Sequence, residues 1–152
     1  MKKLGLLIVL ITGLALSPSA LAAGPSVANG GGRGTQDGTT PFSQFGFGVT
    51  KGLDGSIQGS FNCLMAGSSQ FPPFTLMAVR GQVTSADIGA GAASFDGVGM
   101  LQTGPDGKFP ATFHVDVTEG GPGVGTLDLT LITPFRFPVG LEHVLAGQIS
   151  IR

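Results

Sequence analysis

From Pro41 to the C-terminus, apolar and polar residues alternate at a spacing of two, the period of a pleated strand with one face buried. In FSQFGFGVT the apolar positions are Phe45, Phe47 and Val49, and in SIQGSFNCLM they are Ile57, Phe61, Cys63 and Met65. The KGLDGS segment between them carries a D-G turn, which predicts a hairpin. Further strands are expected over about Phe74 to Thr84, Ser94 to Gln102, Ala111 to Thr118 and Thr126 to Thr133, with a last one in LAGQISIR. In that last strand Leu145, Gly147, Ile149 and Ile151 are placed on one side. The intervening segments AGSSQFPP, SADIGAGAA, TGPDGK and TPFRFPVG read as turns or loops. No window after the N-terminal apolar run sustains the i, i+3, i+4, i+7 pattern of an amphipathic helix. The pattern predicts an all-β domain of about seven strands, an antiparallel β-sandwich or barrel. Glycines inside the strands, such as Gly46, Gly48, Gly59, Gly97 and Gly99, imply strong bending or close sheet contact, and bending favours a barrel or a tightly coiled sandwich.

The first residues follow a different pattern. Lys2 and Lys3 precede an apolar run from Leu4 to about Leu16, then Ser17, Pro18 and the small-x-small triplet Ala20, Leu21, Ala22. This is the tripartite form of a secretory signal peptide, with cleavage expected before Ala23. Pro18 and the small polar residues make the run too short for a spanning helix, so no transmembrane anchor is expected after cleavage. The organisation read from the sequence is therefore a signal peptide over 1–22, a Gly-rich flexible arm over 23–40 and one all-β domain over 41–152. The arm, AGPSVANGGGRGTQDGTTP, has the composition of a loop, with an edge strand near Gly30 to Thr35 as its one ordered part. Its GGGRG lacks the Lys and the following helix of a phosphate loop.

Cleavage of 22 residues from 152 leaves six basic residues against nine acidic ones. With no basic run remaining, nucleic acid is not an expected partner. Cys63 is the only cysteine, so no internal disulfide is available, and its place in an alternating apolar run marks it as a small buried hydrophobe.

The stretch TFHVDVTEGGPGVGTLDLTL concentrates the candidate chemistry. If its turn is symmetric about Pro122, Thr118 faces Thr126, Val115 faces Leu129, and Asp116 lies opposite Asp128. Like charges in that position are destabilising. A cation bridging Asp116 and Asp128 with Glu119 as third ligand would resolve the conflict, although the dense acidic spacing of a calcium loop is missing. A register slip of two would instead set His114 against Asp128, and exposure to water would weaken the repulsion in either register. A glycosidase pair lacks support because the chain contains neither Trp nor Tyr to stack on sugar. No G-x-S-x-G elbow occurs, and His143, beside Glu142, reads as a solvated surface residue.

The order of NGGG, FGFGV, GQVTS, FDGVGML, FHVDVTEGGPG and AGQISI along the chain resembles the post-COAP domain family of small secreted bacterial all-β proteins. The chain departs from that pattern after the turn, where Gly125, Thr126 and Leu127 stand in place of an acid. The resemblance implies an exported β domain and no established chemistry. Three readings of function follow. The first is a non-enzymatic binding, adhesion or envelope module, secreted or periplasmic, acting on an extracellular or envelope component without a cofactor. The second is a barrel enclosing a small apolar ligand, and the third a hydrolase or lyase using His114 with Asp116 or Asp128.

Overall fold

The computed structural model describes residues 24–66, 76–104 and 107–152. Eight strands form it: β1 (Ser26–Thr35), β2 (Ser43–Lys51), β3 (Ile57–Ala66), β4 (Leu76–Ile88), β5 (Ala92–Thr103), β6 (Gly107–Thr118), β7 (Thr126–Thr133) and β8 (Phe137–Ile151). Each strand pairs antiparallel with the next, and β8 pairs back onto β1, so the sheet closes into an up-and-down barrel without an edge. The signal-peptide segment and the AGSSQFPP break beyond Ala66 lie outside the described residues.

Most inward positions are apolar. Val49, Val79, Phe95, Leu101, Val115, Leu129 and Ile149 are all but inaccessible to solvent. Eight strands leave an interior just wide enough for side chains to fill, and here phenylalanines fill it. Phe61 packs against Phe113 with ring centroids 5.2 Å apart and against Phe95 at 5.9 Å, while Phe47 meets Phe95 at 5.4 Å, within the range of favourable aromatic pairs. Interior glycines make room for these rings. A Cβ on Gly81 would lie 2.8 Å from Cε1 of Phe113, and one on Gly97 would strike the same ring. Outward positions of β2 to β4 include the exposed polar residues Gln44, Gln58, Ser60, Asn62, Arg80 and Gln82, whereas those of β5 to β8 also expose Val98, Met100, Ile132 and Leu141.

Several expectations need correction. The Gly-rich segment is not a flexible arm or an edge: β1 is hydrogen-bonded along both sides, to β2 and to β8, and brings the strand number to eight. Gly30 sits directly between Phe47 and Ile149, whose side chains cover it. The SADIGAGAA break shrinks to residues 89–91, because β4 continues to Ile88 and β5 starts at Ala92. The expected loop TPFRFPVG becomes strand from Phe137 onward. In β8 the inward parity changes twice, at irregularities opposite Leu129/Thr130 and opposite Arg33/Gly34. A bulge reverses which face a residue occupies, so Leu145 is only half-buried while Glu142 and Val144 point inward with Ile149 and Ile151.

Candidate functional site

The β6–β7 hairpin has the symmetric register: Val115 pairs with Leu129, Asp116 with Asp128 and Thr118 with Thr126. Val115 and Leu129 are fully buried, which fixes the parity of the pairing, since any odd slip would turn that face to water. The slip by two does not occur, and His114 lies opposite Thr130. A Thr118–Thr126 hydroxyl contact of 2.6 Å pins the turn end of the ladder.

This register aligns polar residues in rows across the outer wall. Pairings from β4 to β8 place Asp87, Ser94, Asp116, Asp128 and Leu141 in one continuous row. The adjacent row runs Ser85, Asp96, His114, Thr130. An open groove of about 470 Å³ follows the first row, lined among others by Asp87, Ser94, Asp116, Thr118, Thr126 and Asp128. Lys51 Nζ reaches Asp87 at 3.9 Å from the side of β2.

His114 is held between two carboxylates. Its Nδ1 lies 2.7 Å from Oδ1 of Asp96 and its Nε2 3.2 Å from Oδ2 of Asp116, and the Ser85 hydroxyl donates to the other oxygen of Asp96 at 2.8 Å. Partial burial disfavours the imidazolium, but the hydrogen bonds and charges of Asp96 and Asp116 outweigh it and raise His114 above its ordinary value. The hydrogen bond from His114 holds Asp96 below the usual carboxylate range. The imidazole therefore offsets charge in the row. A general base needs a free nitrogen facing a nucleophile, and here both nitrogens face carboxylates while the serine sits on the far side of Asp96. That geometry does not assemble a catalytic triad.

Glu119 is not brought to the aspartate pair. It follows outward-facing Thr118, so alternation turns it the other way, and its Oε1 accepts from the Ile151 backbone at 3.4 Å. The turn 119–125 runs along β8, with Gly120 bridging to Ile149 and Gly123 and Gly125 bonded to the Val144 backbone. Among the described residues, no three His, Cys, Asp or Glu side chains converge in a group able to hold a metal. His143 is exposed on β8. Cys63 is buried, and burial, the nearby charge of Glu142 and a countervailing Ser43 hydrogen bond leave its thiol pushed up to about 12.

One chemically notable group escapes the sequence pattern. Glu142 has no solvent exposure. The Ser43 hydroxyl donates to its Oε2, whereas its Oε1 has no hydrogen-bond partner among the described residues. Burial pushes the carboxyl up to about 7, the Ser43 bond pulling it back and the charge of Asp128 adding to the rise. Only the two parity changes in β8 turn this residue inward, and strict alternation gives no sign of them.

These features define a class: an eight-stranded up-and-down antiparallel β-barrel with a largely apolar interior. Compared with protein-family models, with curated proteins and with solved structures, the chain matches none.

Proposed function

We propose that the chain is an exported, non-enzymatic binding domain, and that it engages an envelope or extracellular component through the groove on the outer wall of β5 to β7. The observation that carries this reading is the groove itself, in which Asp87, Asp116 and Asp128 stand in one cross-strand row with Ser94, Thr118 and Thr126 beside them. Directly opposed like charges cost stability, so folding alone gives no reason to align them, whereas a ligand bearing amines or other cationic groups gains from it. The chain has no Trp or Tyr to offer as a stacking platform, so recognition rests on charge and hydroxyl contacts. Export is supported by the basic, apolar and small-residue order of the first 22 residues and by the resemblance to the post-COAP family.

The reading of an apolar-ligand barrel has little room, since Phe47, Phe61, Phe95 and Phe113 occupy the axis. The hydrolase reading lacks a free base at His114. Immobilised mature protein is tested against envelope and cell-wall fractions, alongside Asp116→Asn/Asp128→Asn. Retention of a component by wild type, weakened by salt and lost in the variant with its far-UV circular dichroism unchanged, supports the proposal. Failure to retain anything, or equal retention by the variant, overturns it.

A further inference from the structure

The outer wall of β4 to β7 is graded along the strand direction. Register places Arg80, Met100 and Pro110 in one cross-strand row, and Gln82, Val98, Thr112 and Thr133 in the next. On one side of these rows Lys108 stands opposite Gln102; on the other come Asp96 with His114, then Asp116 with Asp128. The wall thus runs from cations through an apolar strip to carboxylates. Met100 is 43% and Val98 49% exposed, and Pro110 beside Met100 is exposed too. Ile132 widens the strip where β7 carries one extra residue opposite the Thr112/Phe113 step. A sheet face that meets only water is expected to alternate polar-out, and two adjoining rows depart from that. The charges at both ends are available: among the described residues Arg80 and Lys108 meet no carboxylate, while Asp96 and Asp116 keep more than half of their side-chain surface in water.

We propose that this strip is a contact between two copies of the chain, packed face to face about a two-fold axis that lies in the contact plane and crosses the strands between Val98 and Met100. Such an axis lays each strand of one copy antiparallel over the same strand of the other. Met100 then covers the other copy's Val98, Pro110 covers Thr112, and Lys108 arrives at the row of Asp96 and His114, every contact occurring twice. The apolar residues leave water together, and methionine adapts readily to a neighbour's surface. Charge selects the arrangement, because stacking the strands parallel would set each charged end against its own kind. A wholly apolar partner would gain from the strip but would bury the charges beside it without compensation. The groove row of Asp87, Asp116 and Asp128 lies at the rim, so the contact does not depend on the groove holding a ligand. Two convex barrels meet over few strands, which keeps the interface below about 1,200 Å² in total and the dimer in exchange with monomer.

Sedimentation velocity of the mature protein at pH 7 tests this, over about 10 μM to 1 mM, the range of weak association. Wild type should pass from monomer towards dimer across that range. Lys108→Asp and Asp96→Lys each set like charges against one another twice in a homodimer, so either alone should weaken association at least about tenfold. Mixed in equal amounts, the two variants restore opposite charges at both contacts, and a heterodimer should form with about the strength of wild type. Monomer at every concentration, a homodimer unmoved by either exchange, or a mixture no more associated than its parts overturns the proposal. Far-UV circular dichroism checks the fold of each variant. Should Asp96→Lys not fold, the amide chemical shifts of wild type decide: changes with concentration confined to β4 to β7 around the strip support the contact, and changes elsewhere, or none, refute it.

Discussion

Gly30→Ala separates two physical accounts of the N-terminal glycine tract by the sign of its effect. In a flexible arm, alanine would be neutral or would stabilise by about 0.4–1 kcal/mol, because it restricts the unfolded chain. In the barrel, Gly30 pairs with Phe47 on one side and Ile149 on the other. Its added Cβ would lie 2.7 Å from Cε1 and 2.9 Å from Cζ of Phe47, and 2.9 Å from Cγ1 of Ile149. Carbon atoms pack comfortably at about 3.5 Å or more, so both neighbours must retreat by roughly 0.6–0.8 Å. The Phe47 ring has little room to do so, since it packs on Phe95 at 5.4 Å. Overpacking of this kind costs about 1–3 kcal/mol, which leaves a net destabilisation of about 1–2 kcal/mol after the entropic gain. Urea unfolding followed by far-UV circular dichroism measures it, the chain having no Trp or Tyr to report by fluorescence. Because all three close contacts are with side chains, Phe47→Leu in the same molecule should recover at least about 1 kcal/mol relative to additivity. A Gly30→Ala variant as stable as wild type, or a double variant showing strict additivity, would refute the packing argument.

Three further outcomes follow from the electrostatics. Glu142 is raised from 4.5 to about 7, so its share of stability is complete below pH 4.5, declines as pH rises to about 7 and is level beyond. The total is about 3 kcal/mol, and Glu142→Gln should exceed wild type by about that much in urea melts at pH 8 but not at pH 4. His114 is raised above 6.5, so its contribution holds below 6.5 and is lost as pH climbs through the native value. With the ring more than a third exposed, His114→Asn should remove a step of under about 1 kcal/mol in stability measured from pH 6 to 9. Cys63 should resist a thiol-modifying disulfide reagent in native protein at pH 8 and react at once in urea; rapid native labelling would contradict its burial and its value near 12.

Side-chain period carried most of the architecture. Phe113, Val115 and Val117 against Leu127, Leu129 and Leu131 specify both a buried face and a register, because a turn symmetric about Pro122 leaves one pairing that keeps both runs inside. The acidic row across Asp116 and Asp128 was legible for the same reason, whereas its extension to Asp87 required the order of strands, which alternation does not encode. The first strand was legible only as an edge near Gly30 to Thr35, and its start at Ser26 and its place inside the sheet were hidden, because glycine has no side chain to register a period: ANGGGRGT offers only Ala28 as an inward apolar residue, and its burial depends on neighbours remote in sequence. The inward turn of Glu142 was hidden because bulges shift parity through backbone geometry, without changing residue type.

Closure through β1 and β8 joins residues 28–35 to residues 143–151, the pairing with the greatest separation along the chain. Until synthesis supplies β8, a nascent sheet has two open flanks, the kind of intermediate that recruits other chains into aggregates. On one flank the exposed ribbon is β1, nearly devoid of bulky side chains and carrying Arg33, a poor template for a stray partner. The glycines that let phenylalanine close the finished cylinder thus also keep the unfinished one from sticking.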